Sequence, residues 1–195
     1  MVVAFFDFDG TITRGDSFAL FLRFMIGKKF IIKIIQNLPS LILYKLKMQD
    51  NTTTKEKILS SCLKNMDIDY FNTKCNDFTA ILKNFCKDSA LQKIHWHKES
   101  GHRVIMVSAS FEEYLRPFCN TLNIELLATK MEVKNNKLTG KLASPNCYGK
   151  EKERRIREYC NLASFKSIYV YGDTKGDKEM LALASPYQAF YRVFN

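Results

Sequence analysis

The feature that most constrains this chain is its opening stretch, Val2-Val3-Ala4-Phe5-Phe6-Asp7-Phe8-Asp9-Gly10-Thr11, an apolar run that ends in two carboxylates one residue apart. Five consecutive apolar residues read as a strand buried on both faces, which is the environment of a parallel sheet between helices. Asp7 and Asp9 then fall at the carboxyl end of that strand, where open α/β sheets bind their ligands. Strand alternation puts the two aspartates on one side and turns Phe8 back into the core. Gly10 allows a sharp turn. An ordinary Asx-type turn is the competing reading of this stretch alone.

The polar segment Ile12-Thr13-Arg14-Gly15-Asp16-Ser17 follows, with Asp16 or Ser17 placed to cap a helix. Residues 18–47 then contain 19 apolar and six basic residues and no acidic one. They are expected to form two amphipathic helices broken near Pro39. The longest uncharged run is the eleven residues Ile34 to Tyr44, well short of the roughly 20 needed to span a bilayer. A helix pair of this kind can serve as packing surface. Its lysines and apolar residues also suit contact with an anionic membrane or a lipid substrate.

Residues 51–86 read as further helix, with Thr52-Thr53-Thr54-Lys55-Glu56 as a capped start. Residues 15–86 are therefore expected as an all-helical insertion, leaving 1–14 and 87–195 as the core. From Ser89 the pattern alternates. Helices are expected over 90–100, 111–122, 150–161 and 178–184, and strands over 103–107, 124–129, 167–171 and 188–193. A β-hairpin is expected around Asn135-Asn136. The fold class is α/β, a Rossmann-like, mainly parallel sheet flanked by helices.

The net charge of +10 over 195 residues points either to anionic partners or to a basic surface kept for solubility. Basic and aromatic residues are not interleaved as in nucleic-acid modules, so no nucleic-acid partner is expected. The six cysteines include no C-x-x-C pair, and no leader is expected before the first strand. Reduced thiols in a cytosolic protein are expected. His95 and His97 are two apart, which points them to different helix faces and favours a helix-surface role over a metal pair.

Three strand ends carry polar groups able to converge: Asp7 and Asp9, then Ser108, then Asp173 and Asp177. Lys150 and Lys152 open a helix between the last two. Such a set suits phosphoryl transfer to a carboxylate nucleophile, and clustered aspartates suit Mg²⁺ better than zinc.

Asp7-Phe8-Asp9-Gly10-Thr11 matches the D-x-D-G-T signature of the haloacid dehalogenase-like phosphohydrolases, and the later segments supply its partner motifs in order. The chain resembles the subclass with a helical cap after the first motif, which includes phosphoserine phosphatases. The resemblance implies Asp7 as nucleophile and metal ligand. It implies Asp9 as general acid/base, with its backbone carbonyl on the metal. Ser108 and the N–H of Ala109 would bind phosphate beside Thr11, while Ser110 would be a helix cap. Lys152, or alternatively Lys150, would neutralise the phosphate and Asp7. Asp173 would be a metal ligand and Asp177 an acidic residue supporting it, with Mg²⁺ as cofactor. The fourth motif, Gly172-Asp173-Thr174-Lys175-Gly176-Asp177, departs from the usual phosphoserine phosphatase G-D-G-x-N-D. With Val107-Ser108-Ala109-Ser110 and Cys147-Tyr148-Gly149-Lys150-Glu151-Lys152, it is more similar to the branch containing phosphatidylglycerophosphatase C. The implied activity is Mg²⁺-dependent hydrolysis of a phosphorylated lipid head group, in the cytoplasm or peripherally at the inner membrane face. A soluble phosphatase for a small metabolite and an inactive membrane- or nucleic-acid-binding scaffold are the competing readings. Oligomeric state is not legible.

Overall fold

A computed structural model describes residues 1–194. The first strand, β1 (Val2–Phe6), is followed by four helices, α1 (Ser17–Ile26), α2 (Lys29–Lys45), α3 (Asn51–Leu63) and α4 (Ile68–Phe85). The chain then continues through α5 (Asp88–Glu99), β2 (Arg103–Phe111), α6 (Glu112–Leu122) and β3 (Glu125–Thr129). A hairpin, β4 (Met131–Lys134) and β5 (Lys137–Leu142), precedes α7 (Lys150–Tyr159), β6 (Ser167–Gly172), α8 (Lys178–Leu181) and β7 (Ala189–Tyr191).

The five-stranded sheet has the order β3-β2-β1-β6-β7, and every neighbouring pair is parallel. Alternate residues of β1 enter opposite layers, as expected for a strand covered on both faces. Ala4 and Phe6 join Phe8, Met106, Leu115 and Phe118 on one side, whereas Val3 and Phe5 join Ile105, Val107, Ile156, Val170 and Met180 on the other. Successive strands are added first to one side of β1 and then to the other. The carboxyl end of β1 thus lies at the switch point where such sheets open a crevice.

The four-helix insertion is anchored by its caps. Asp16 caps α1 by accepting from the N–H groups of Phe18 and Ala19, at 2.8 and 3.1 Å. Asp50, rather than the threonines after it, caps α3 through the Thr53 N–H at 2.9 Å, and Asp67 caps α4. The two crossings of the chain run side by side, the Arg14 N–H donating to the Phe85 carbonyl at 3.0 Å. The hairpin turns at Asn135-Asn136, both at positive φ, and bonds the α3–α4 connection through the Leu138 and Asn136 backbones.

Two expectations are corrected. The break between the first two helices falls at Gly27, at φ +53°, and Pro39 lies inside an unbroken α2. Gly27 adopts a backbone conformation other residues resist. Pro39 lacks the N–H that would bond the Ile35 carbonyl, and α2 runs on through it. The second correction is His97, which is fully buried, not on a helix surface. Its Nε2 is 2.9 Å from the Tyr171 hydroxyl and its Nδ1 is 2.8 Å from His102 Nδ1. Burial lowers its pKa to about 3, with His102 and Lys93 adding to the effect. It is a neutral core histidine. The six cysteines are free thiols. Among the described residues, no helix is long and apolar enough to cross a membrane.

Candidate active site

A cavity of about 510 Å³ opens between the carboxyl ends of the central strands and the inserted helices. Its floor carries Asp7, Asp173, Asp177 and Lys152, while Phe18, Leu41, Tyr44 and Ile58 give it an apolar wall.

Asp7 follows β1 directly and continues its pairing, donating its N–H to the Tyr171 carbonyl at 2.9 Å. Lys152, on the first turn of α7, is buried and bonds both Asp7 Oδ1 and Asp177 Oδ1, the latter at 2.7 Å. Thr11 Oγ1 lies 3.1 Å from Asp7 Oδ2 and 3.2 Å from Asp173 Oδ1, so one hydroxyl ties the first strand's loop to the loop after β6. That loop closes tightly over Gly10, at φ +78°. A Cβ there would stand 2.2 Å from Asp173 Oδ2, so only glycine leaves room for the carboxylate.

Asp177 is held on every side. Its Oδ2 accepts from the N–H of Asp173 and from both the N–H and hydroxyl of Thr174, at 2.9 to 3.2 Å. Burial raises its pKa, but the Lys152 charge and these bonds outweigh burial and hold it below the ordinary carboxylate value. Burial instead raises Asp7, against the pull of Lys152, and raises Asp173, with the Asp177 charge adding to it. The charges of Asp7 and Asp177 overcome burial at Lys152 and keep its ammonium protonated.

Asp7 and Asp177 thus share one cation, and one oxygen from each of Asp7, Asp173 and Asp177 lies within 4.8 Å of the others. An all-oxygen set with excess negative charge fits a hard divalent cation such as Mg²⁺ better than zinc. The Asp9 carboxylate stands apart from this cluster. Its Oδ1 accepts from the Ser17 N–H at 2.7 Å and its Oδ2 from the Ser110 hydroxyl at 2.5 Å. Ser17 Oγ is also 3.0 Å from the Tyr114 hydroxyl and 3.4 Å from Ser110 Oγ. Burial raises the Asp9 pKa, the Asp16 charge adds to it, and the serine bonds oppose it.

The structure places the other expected residues unequally. Ala109 lines the cavity. Ser108 is fully buried, with its Oγ accepting the Ser110 N–H at 3.0 Å. Ser110 is not a helix cap, since α6 begins after Phe111 with no side-chain cap and the Ser110 hydroxyl is spent on Asp9. Of the two candidate lysines, Lys152 reaches the carboxylates, while Lys150 is exposed and does not line the cavity.

Sequence reasoning passed over Lys55. This α3 lysine lines the cavity, donates to the Ala109 carbonyl at 2.8 Å and to Asn146 Oδ1 at 3.2 Å, and lies 5.1 Å from the centre of the Phe111 ring. Burial lowers its pKa to about 8, against the pull of Asp9 and Asp16. Among the described residues it forms no ion pair. Nothing in the sequence separates it from the many surface lysines.

The haloacid dehalogenase-like hydrolase family matches residues 4–182, which include every carboxylate and lysine of this cavity. The chain belongs to that family. Protein CicA of Caulobacter vibrioides, a relative, is 30% identical over 192 residues, covering 97% of this chain and 85% of CicA. A Mycobacterium tuberculosis protein described as a probable phosphatase is 38% identical over 88 residues, 44% of this chain and 30% of that protein. Among solved structures, a Bordetella pertussis protein of unknown function superposes with a TM-score of 0.84 at 18% identity, covering 94% of this hydrolase and 86% of that chain. A phosphoserine phosphatase, solved as a phospho-aspartyl intermediate analogue, superposes with a TM-score of 0.66 at 19% identity, covering 93% and 82%. These similarities to solved structures establish a shared fold.

Proposed function

We propose that this hydrolase is a phosphatase that cleaves phosphomonoesters through an aspartyl-phosphate on Asp7. The observation that carries the reading is the buried Asp7 carboxylate on the cavity floor, bonded by Lys152 and grouped with Asp173 and Asp177. The Asp7 carboxylate attacks phosphorus, the bond to the ester oxygen breaks, and Asp9 gives its proton to the departing alkoxide. Asp9 then takes a proton from water as that water attacks phosphorus, releasing phosphate and restoring the Asp7 carboxylate. Acid/base help of this kind contributes roughly 10²- to 10⁴-fold in rate.

Lys152 neutralises charge on Asp7 and on the phosphoryl oxygens, and the cavity-lining Ala109, with the buried Ser108 and Thr11 behind it, would make the remaining phosphate contacts. Asp7, Asp173 and the Asp9 carbonyl would hold Mg²⁺, with Asp177 orienting Lys152 and the Asp173 backbone. When bound, the ion offsets the repulsion between carboxylate and phosphate and aligns them. The reading divides the chain into a core, 1–14 and 87–195, and a cap, 15–86, that closes over substrate.

The substrate we favour is a phosphorylated lipid head group such as phosphatidylglycerophosphate, met peripherally at the inner face of an anionic membrane. Support comes from the apolar cap-side wall and from Lys55, a half-buried cation able to take a second anion such as the head group's phosphodiester. A soluble metabolite such as phosphoserine is the second reading, because Lys55 could equally take a carboxylate. Mg²⁺-dependent phosphate release from phosphatidylglycerophosphate in mixed micelles, set beside phosphoserine, separates them. A preference for the lipid is expected, and a preference for phosphoserine would replace the first reading with the second.

A further inference from the structure

Helix α2 packs Phe30 and Leu41 against the core but leaves much of its apolar surface exposed. Its two most buried positions are polar: Asn37 donates to Ser61 Oγ at 2.7 Å and to the Lys33 carbonyl at 2.8 Å, and Ser40 accepts from Gln49. Its outward positions include a run of large apolar residues. Ile31, Ile35, Leu38 and Ile42 are 68, 64, 48 and 49% exposed, and their spacing sets them in one stripe along the helix. Ile32 and Leu46 widen it. Every exposed isoleucine and leucine among the described residues falls between positions 31 and 46.

An apolar stripe this concentrated marks a contact surface. Its surroundings say what covers it. Lys28, Lys29, Lys45 and Lys47 are exposed at the two ends of the helix, and no acidic residue occurs from Ser17 to Gln49. Two copies of this face would bring like charges together, whereas an anionic bilayer supplies the opposite charge and an apolar interior. The helix is not apolar enough to cross a membrane, so it would lie along the interface. Its other edge serves the catalytic cavity, since Leu41 and Tyr44 of the same helix line that space.

We propose that α2 is the membrane-docking element of this hydrolase. It seats Ile31, Ile35, Leu38 and Ile42 among the acyl chains of an anionic bilayer and its terminal lysines among the head groups. The cavity edge formed by Leu41 and Tyr44 then faces the head-group layer. This orientation of the cavity rests on the lipid-phosphatase reading, but the docking does not, because it is measured without turnover.

The test is cosedimentation of the full chain with phosphatidylglycerol-containing vesicles and with phosphatidylcholine-only vesicles, for the unaltered protein, an Ile35→Asn/Ile42→Asn variant and a Lys28→Gln/Lys29→Gln/Lys45→Gln variant. Melting temperatures confirm folding, and light scattering reports oligomeric state. The expected result is binding to the anionic vesicles only, at least tenfold weaker in the isoleucine variant and several-fold weaker in the lysine variant. Equal binding by all three proteins, or no binding by the unaltered chain, overturns the proposal. A dimer that the isoleucine substitutions dissociate, with vesicle binding unchanged, assigns the face to a second copy instead.

Discussion

The Ser110 hydroxyl donates to the Asp9 carboxylate at 2.5 Å, which fixes the orientation of the proposed acid/base group while Asp7 is engaged by Lys152. Two carboxylates only two residues apart in sequence are thereby given separate partners.

Ser110→Ala removes that donor and leaves the Ser17 N–H as the remaining bond. A hydrogen bond to a charged group is worth about 1.5–3 kcal/mol, so kcat should fall by about ten- to a hundredfold. Ser110→Thr should restore most of it. Steady-state kinetics of the two variants check this, and an unchanged kcat in the alanine variant would remove Ser110 from the machinery.

Lys152→Met should destabilise the fold as well as abolish turnover. The substitution leaves Asp7 and Asp177 buried without their shared cation, and removing one partner of a buried pair costs about 3–5 kcal/mol. Urea midpoints at neutral pH, converted with a common slope, give the comparison.

Lys55→Met tests the second anion site. Losing a charged donor predicts a rise in KM of about ten- to a hundredfold for substrates with an anion beyond the phosphomonoester. Simple aryl phosphates should show a much smaller change. Equal effects on both substrate classes would make Lys55 a structural residue.

Glu113 predicts a pH dependence of stability remote from the site. One carboxylate oxygen accepts the Met131 N–H at 2.9 Å, the other is buried without a partner, and burial raises the pKa from 4.5 to about 7. The folded state therefore holds this proton more tightly than the unfolded state. The resulting contribution is complete below pH 4.5 and declines as pH rises through 7. Glu113→Gln keeps the acceptor and removes the charge. Its melting temperature should exceed that of the unaltered chain at pH 8 and match it near pH 4.5, for a gain of at most about 3 kcal/mol.

How much of this was legible in the sequence follows from which physical signals are local. The buried strand ending in Asp7, the strand ends at Ser108 and Asp173, and the inserted helices all carry periodicity or turn chemistry within a few residues. Lys55 and Ser110 do not, because their partners Ala109, Asn146 and Asp9 become neighbours only through the fold. Pro39 misled for a related reason: a proline inside a helix forfeits one backbone bond, which the turns on either side can outweigh, while Gly27 changes the chain's direction by its own dihedral. His97 misled because a spacing of two says nothing about which face the neighbouring Tyr171 occupies. The exposure of the α2 stripe was hidden as well, since an apolar stripe reads the same whichever way it points.

The most direct test of the central claim is Mg²⁺-dependent phosphate release from a phosphomonoester by the unaltered chain and by Asp7→Asn, each with and without a chelator. The account predicts release by the unaltered chain that the chelator stops, a phosphoryl group trapped on Asp7 by rapid quench, and none of these from a folded Asp7→Asn protein. Substantial turnover by Asp7→Asn would contradict it.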